Sequence, residues 1–188
     1  MKSTEKRKAL RPLNESALNE LALRYVGRFA TTRAKLRSYL ARKVRERGWE
    51  GAQEPAIAGI AERFAEQGYI DDAAYALIKS QALTGRGYGK RRLVQSLRVA
   101  GVNEDDGVAA LDHADADAVS AALRFARRRR IGPYAKSEPA SPKERDKALA
   151  AMVRAGHGFP LAKAVLSLAP GTEDNIGQLT EFIRLIDE

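Results

Sequence analysis

The sequence has no cysteine, which excludes disulfide staples and thiolate metal sites and is compatible with a reducing cytosol. Aromatic residues make up only 6% of it, with a single tryptophan, so there is little material for base-stacking platforms or for strand-rich packing. No apolar run approaches the roughly 20 residues that a membrane span needs. The basic start, MKSTEKRKALRP, is not followed by the apolar core of a signal peptide. The two histidines, His113 and His157, lie far apart and lack the ligand spacing of a zinc motif. These absences lead to the expectation of a soluble, cytoplasmic chain without membrane contacts, metal or other cofactor.

What is present favours helix. Apolar residues make up 44% of the 188, and alanine and leucine dominate them. Both lose little side-chain freedom in a helix, whereas the β-branched and aromatic strand formers are scarce. The fold class expected is all-α. The formal net charge is +9, a surplus that speaks of partners: phosphate backbones, anionic surfaces or acidic protein faces.

In chain order, residues 1–13 read as a flexible basic arm. Asn14 suits an N-cap, ahead of a stripe of Ala17, Leu18, Leu21, Ala22 and Tyr25. Thr31 and Thr32 look like the cap of a second helix with Leu36, Tyr39, Leu40 and Val44 inward, closed by Gly48. Pro55 suits the first turn of a third, with Ile57, Ile60, Ala61 and Phe64 inward, ending at Gly68. Asp71 or Asp72 can cap a helix packing through Tyr75, Ala76 and Ile78. Gly85, Gly87 and Gly89 break it, and Lys90 opens the next, with Leu93, Val94 and Leu97 inward. Asn103 can cap its successor, whose apolar side would be Val108 and Leu111. A further stripe, Val119, Ala122, Leu123 and Ala126, runs into Arg127–Arg130. Residues 131–142 read as a loop, and Ser141-Pro142-Lys143-Glu144 combines a capping box with proline at a first helical position. Beyond Pro170-Gly171, Ile176, Leu179, Phe182, Ile183 and Ile186 mark a C-terminal amphipathic helix.

The basic helices superpose at a period of about 55–57 residues, unlike the common helical repeats of about 34. Leu36, Leu93 and Ala148 then coincide, as do Leu40, Leu97 and Met152, and Arg33, Lys90 and Arg145. The expected organisation is three-helix repeats at 14–68, 69–113 and 114–169, the last carrying the 131–142 loop, followed by the 170–188 segment. A small helical unit cannot bury its apolar side alone, so stacked copies share a core. The expected body is an elongated, curved, right-handed helical array, with cations at repeated positions forming a basic stripe.

Catalytic readings are weak. Gly85-Arg86-Gly87-Tyr88-Gly89-Lys90 resembles a phosphate loop only loosely, because Thr84 stands where glycine is needed and Arg91 where Ser or Thr is. The pairs Asp71-Asp72 and Asp105-Asp106 sit at expected helix starts, where carboxylates satisfy free N–H groups. No enzyme is expected. The candidate binding residues are Arg33, Lys35, Lys90, Arg91, Arg92, Arg98, Arg127, Arg128, Arg129 and Arg130, which together offer a face for phosphates or an acidic protein surface.

Thr32-Arg33-Ala34-Lys35-Leu36 with Tyr39-Leu40-Ala41-Arg42-Lys43 resembles the opening repeat of the RecX family of bacterial recombination regulators. Gly68-Tyr69-Ile70-Asp71-Asp72, with Tyr75-Ala76, resembles that family's most recognisable motif. Gly89–Leu93 with Leu97 and Gly101-Val102 is similar to its second-repeat helix, and LAAMVRAGHGF, residues 149–159, to its third. The resemblance covers roughly residues 15–168. It implies tandem three-helix repeats without a catalytic centre, acting as a monomer that binds RecA and the RecA–DNA filament and depresses ATPase and strand exchange. The alternative from the residues themselves is a general basic helical DNA- or RNA-binding protein with no RecA role. The 131–142 loop, the tetra-arginine run and the segment after Pro170 depart from the family pattern.

Overall fold

The computed structural model describes residues 11–172, and these are all-helical apart from a single isolated β-bridge. The chain divides into two compact units, residues 1–72 and 73–188. The expected arm at 1–10 and the amphipathic segment beyond Thr172 lie outside the described residues.

The first unit holds α1 (Glu15–Val26), α2 (Arg33–Arg47) and α3 (Ile57–Glu66). Local chemistry sets their starts. The Asn14 side chain accepts from Ala17 N and that of Thr32 from Lys35 N, each satisfying an N–H that the helix leaves without a partner. Pro55 precedes its helix instead of sitting in the first turn, because α3 begins at Ile57. Leu18, Ala22, Leu36, Leu40, Ile60 and Phe64 close over one core, and each fully buried leucine contributes about 1.5–3 kcal/mol. Leu13, the last residue of the expected arm, is fully buried there. Its N–H donates to Gly48 O and its carbonyl accepts from Glu50 N, both at 2.9 Å.

Asp72 does a job that local patterning cannot show. Although it is the first residue of α4 (Asp72–Gly85), its buried carboxylate accepts from the Arg33 backbone N–H at 3.0 Å and from Arg33 Nε at 3.3 Å. It thus supplements the Thr32 cap of α2. Asp72→Ala is expected to lower stability by about 2–3 kcal/mol, the loss of charge-assisted bonds at a buried site. Asp72→Asn should cost less, and a urea midpoint for each variant decides it.

The second unit contains the rest of α4, then α5 (Lys90–Ala100), α6 (Glu104–Ala116), α7 (Ala118–Arg129), α8 (Pro142–Arg154) and α9 (Phe159–Ser167). Ala76, Leu93, Leu97, Ala110 and Ala114 form one cluster, and Leu123, Phe125, Met152 and Val165 belong to another. Three residues expected inward are exposed: Ile78 at 61%, Val94 at 45% and Val108 at 54%. On α6 the buried positions are Gly107, Ala110 and Ala114, whose small side chains let helices approach closely without Val108. Asn103 caps α6 through Asp106 N, and Ser141 caps α8 through Glu144 N. The 131–142 segment carries a single 3₁₀ turn, Gly132–Tyr134.

Candidate functional site

The glycine-rich joint between α4 and α5 is where the second unit gathers its cations. The first helix runs through Gly85, and Gly87, at φ +79°, makes the reversal. Gly89 occupies the N-cap of α5 with no side chain to cap it. The backbone after α8 does this instead: Gly89 N donates to Ala155 O at 3.0 Å and Arg91 N to Gly156 O at 3.1 Å. Carbonyls from one helix end thus meet the free N–H groups of another helix start, an arrangement the two dipoles also favour.

Tyr88 stands between these glycines and collects arginines. The Arg92 guanidinium lies 4.4 Å from its ring centroid and that of Arg128 5.5 Å. Arg128 also lies 5.6 Å and Arg129 5.8 Å from the Phe125 centroid. Arg128 Nη1 donates to Arg86 O at 2.6 Å, and Arg124 Nε to Thr84 O at 3.1 Å. The C-terminal half of α7 therefore straps the joint, and the Tyr88 and Phe125 rings sit under the exposed Arg92, Arg128 and Arg129 guanidinium groups. Among the described residues, Arg92, Arg128 and Arg129 make no ion pair with a carboxylate.

The other expected binding residues divide. Arg33 is paired with Asp72 and Glu62 and lies in the first unit with half-buried Lys35. Lys90 is paired with Asp115. Arg91 and Arg98 are exposed on α5, as are Arg127 and Arg130 at the end of α7, without ion pairs among the described residues. Arg130 takes the left-handed backbone at φ +54° that terminates α7. The sequence pattern does not reveal Tyr88, Arg86 or Arg124 as parts of this site. The one available signal is an aromatic residue set between two glycines and four residues before Arg92.

Two features resemble catalytic groups and are otherwise engaged. Ser80 Oγ lies 3.1 Å from His113 Nδ1, but the hydroxyl is fully buried and donates to Ala110 O at 2.8 Å. His157 is buried under the joint, with Nε2 3.0 Å from Gly87 O and its ring edge on Phe125. Burial holds its pKa below the ordinary 6.5, opposed by the Gly87 hydrogen bond. Neutral His157 donates from Nε2 to Gly87 O, and protonation would put a charge in a site with no acceptor for Nδ1 among the described residues. The folded pKa being depressed, the unfolded chain binds the extra proton as pH falls below about 6.5. Stability is thus expected to hold above that pH and to fall from there toward pH 5, by no more than about 1.4 kcal/mol per pH unit from this group. Denaturant midpoints for wild type and His157→Gln test this: the variant should lack that part of the slope.

No family-wide sequence profile matches the chain, but individual relatives do. It is 32% identical over 170 residues to the regulatory protein RecX of Myxococcus xanthus, covering 85% of this chain and 89% of that one. It is 34% identical over 148 residues to the regulatory protein RecX of Agrobacterium fabrum, covering 77% and 79%. Its fold is similar to the crystal structure of RecX from Lactobacillus salivarius, with a TM-score of 0.58 at 17% identity over 80% of this chain and 92% of that one. A second crystal structure of regulatory protein RecX gives 0.56 at 20% identity, over 80% and 70%.

Proposed function

The chain belongs to the family of RecX regulatory proteins, and on that premise we propose that it regulates the recombinase RecA by binding the RecA–DNA filament, without catalysing a reaction itself. The observation that carries the reading is the arginine cluster around Tyr88, where guanidinium groups are held on aromatic faces and have no carboxylate partner among the described residues. Such a cluster is built to receive acidic side chains or backbone phosphates. Arg91, Arg98 and Arg127 extend the cationic surface, and the net charge of +9 supports attraction to a polyanionic filament.

A bound regulator depresses ATP turnover only if it favours one state of the filament over another. The proposed action is that this chain, a cytoplasmic monomer, stabilises a filament state whose subunits cannot complete the movements of hydrolysis and strand exchange. The test is RecA ATPase and strand exchange titrated with the purified chain. Inhibition is expected as it reaches stoichiometry with RecA, and unchanged rates would overturn the reading. Binding to naked DNA as tight as to the filament at equal salt would favour the general nucleic-acid binder instead. The covering of Tyr88 by Arg92 speaks against base stacking at that ring.

A further inference from the structure

Two neighbouring helices of the second unit carry opposite charge in one pattern. α5 has four cations and no carboxylate, while α6 has five carboxylates and no lysine or arginine. On α5, Arg91, Val94, Gln95 and Arg98 stand at i, i+3, i+4 and i+7, which is a single helical face, and all four are exposed. On α6, Asp105, Val108, Ala109 and Asp112 hold the same positions fourteen residues later and are exposed as well. The inward positions repeat at that offset too, with Leu93 and Ala100 buried on α5 and Gly107 and Ala114 on α6. Each face therefore sets an exposed valine between two like charges about 10 Å apart along the helix.

The fold turns both faces outward, because α5 and α6 spend their other sides, Leu93 and Leu97 on one and Ala110 and Ala114 on the other, in a shared core. Among the described residues, Lys90 and Asp115 form the ion pair between the two helices, and Arg91, Arg98, Asp105 and Asp112 form none. A phosphate backbone would suit the two arginines but leave Val94 uncovered, and with it Val99, which is 81% exposed at the end of the same face. The α6 face answers both features, since its carboxylates match the arginines in spacing and its valine matches Val94. The equal spacing serves helices run in either direction.

We propose that the α6 face of a second copy docks on the α5 face, burying Val94 against Val108 and setting Arg91 and Arg98 against Asp105 and Asp112. The contact follows mass action, so the dilute chain is the free monomer and the concentrated chain is self-associated. The self-contact needs no role for RecA. Its consequence rests on the reading above: a docked copy covers Arg91 and Arg98 and so competes with the acidic partner that those arginines would meet.

The test is the weight-average mass of the full chain by sedimentation equilibrium at rising protein concentration. At low salt the mass should climb above that of one chain, and added salt should bring it down again. Arg91→Glu and, separately, Asp112→Lys should each weaken association at least about tenfold, as unlike charges become like ones. Both suit their helix dipoles, an acid in the first turn of α5 and a cation toward the end of α6, and circular dichroism checks that the helices remain. Should either variant lose them, Val94→Ser and Val108→Ser take their place. The decisive sample is an equal mixture of Arg91→Glu and Asp112→Lys chains, where one partner keeps an intact α6 and the other an intact α5: association should return. A wild type of single-chain mass throughout, or a mixture no more associated than its components, overturns the proposal. At a concentration where the wild type is associated, Asp112→Lys should also inhibit RecA ATPase more strongly than the wild type. Equal inhibition overturns the competition. No inhibition by either chain overturns the filament reading and the competition with it, while the masses still decide the self-contact.

Discussion

A Gly156→Ala chain is expected to unfold at a markedly lower denaturant concentration than the wild type. Gly156 has φ +99°, where any L side chain is strained, and a Cβ there would lie 2.6 Å from Arg92 N and 2.8 Å from Gly89 O. Both are backbone atoms at the start of α5, so neither can step aside like a side-chain tip. The facing glycine is as tight: a Cβ on Gly89 would lie 2.3 Å from Gly156 O. Left-handed strain of about 1–2 kcal/mol plus overpacking of about 1–3 gives roughly 2–5 kcal/mol, a large share of a domain's stability. The substitution would also separate Gly89 N and Arg91 N from their acceptors at 155 and 156. Gly68→Ala is the control, since Gly68 has φ +76° with nothing within 4 Å of its Cβ position and isolates the conformational part. Equal midpoint shifts for Gly68→Ala and Gly156→Ala would mean that the close approach of α5 to the α8–α9 turn carries no weight. Adding Gly89→Ala to Gly156→Ala should cost little more than Gly156→Ala alone, because the two break one contact.

That contact shows where sequence reading reaches and where it stops. Caps at Asn14, Thr32, Asn103 and Ser141 were legible because a cap is local chemistry between residues three apart. The all-α class followed from alanine and leucine in the same way. Burial was less legible on helices with apolar residues on several sides, as Ile78, Val94 and Val108 show: each lies beside a smaller or better-placed residue that takes the inward position. The register of the basic helices was also only partly visible. Arg33 and Lys90 each stand at the first position of their helices, but α8 begins at Pro142, almost a turn ahead of Arg145. The site itself depended on tertiary structure. Arg92 and Arg128 are 36 residues apart in sequence, and only the packing of α7 against the joint brings both to Tyr88. Arg33 and Lys90, equally basic by sequence, are occupied by carboxylates contributed from 39 and 25 residues away.

If the chain acts on the RecA filament as proposed, reversing charge at Arg91 and Arg92 together is expected to lower filament affinity by about two orders of magnitude, at two charge-assisted contacts of about 1.5 kcal/mol each. The pair isolates binding from folding. Arg91 is exposed and bonds to Gly156 O through its backbone N–H, while the Arg92 guanidinium lies over the Tyr88 ring. Lys90 is left out because a glutamate there would face Asp115, and Arg128 because it holds Arg86 O. Helix content by circular dichroism and the denaturant midpoint should therefore stay near wild type as filament binding and ATPase inhibition fall together. The salt dependence then identifies the acidic partner. If Arg91 and Arg92 meet phosphates, the slope of log affinity against log salt should shrink by roughly 0.7–0.9 per lost contact. Two carboxylates on RecA instead would lower affinity similarly while leaving the affinity for naked DNA unchanged. Full retention of filament affinity in a folded Arg91→Glu/Arg92→Glu chain would count against the cluster around Tyr88 as the interface, since the exposed Arg92 over that ring would then make no contact in the complex.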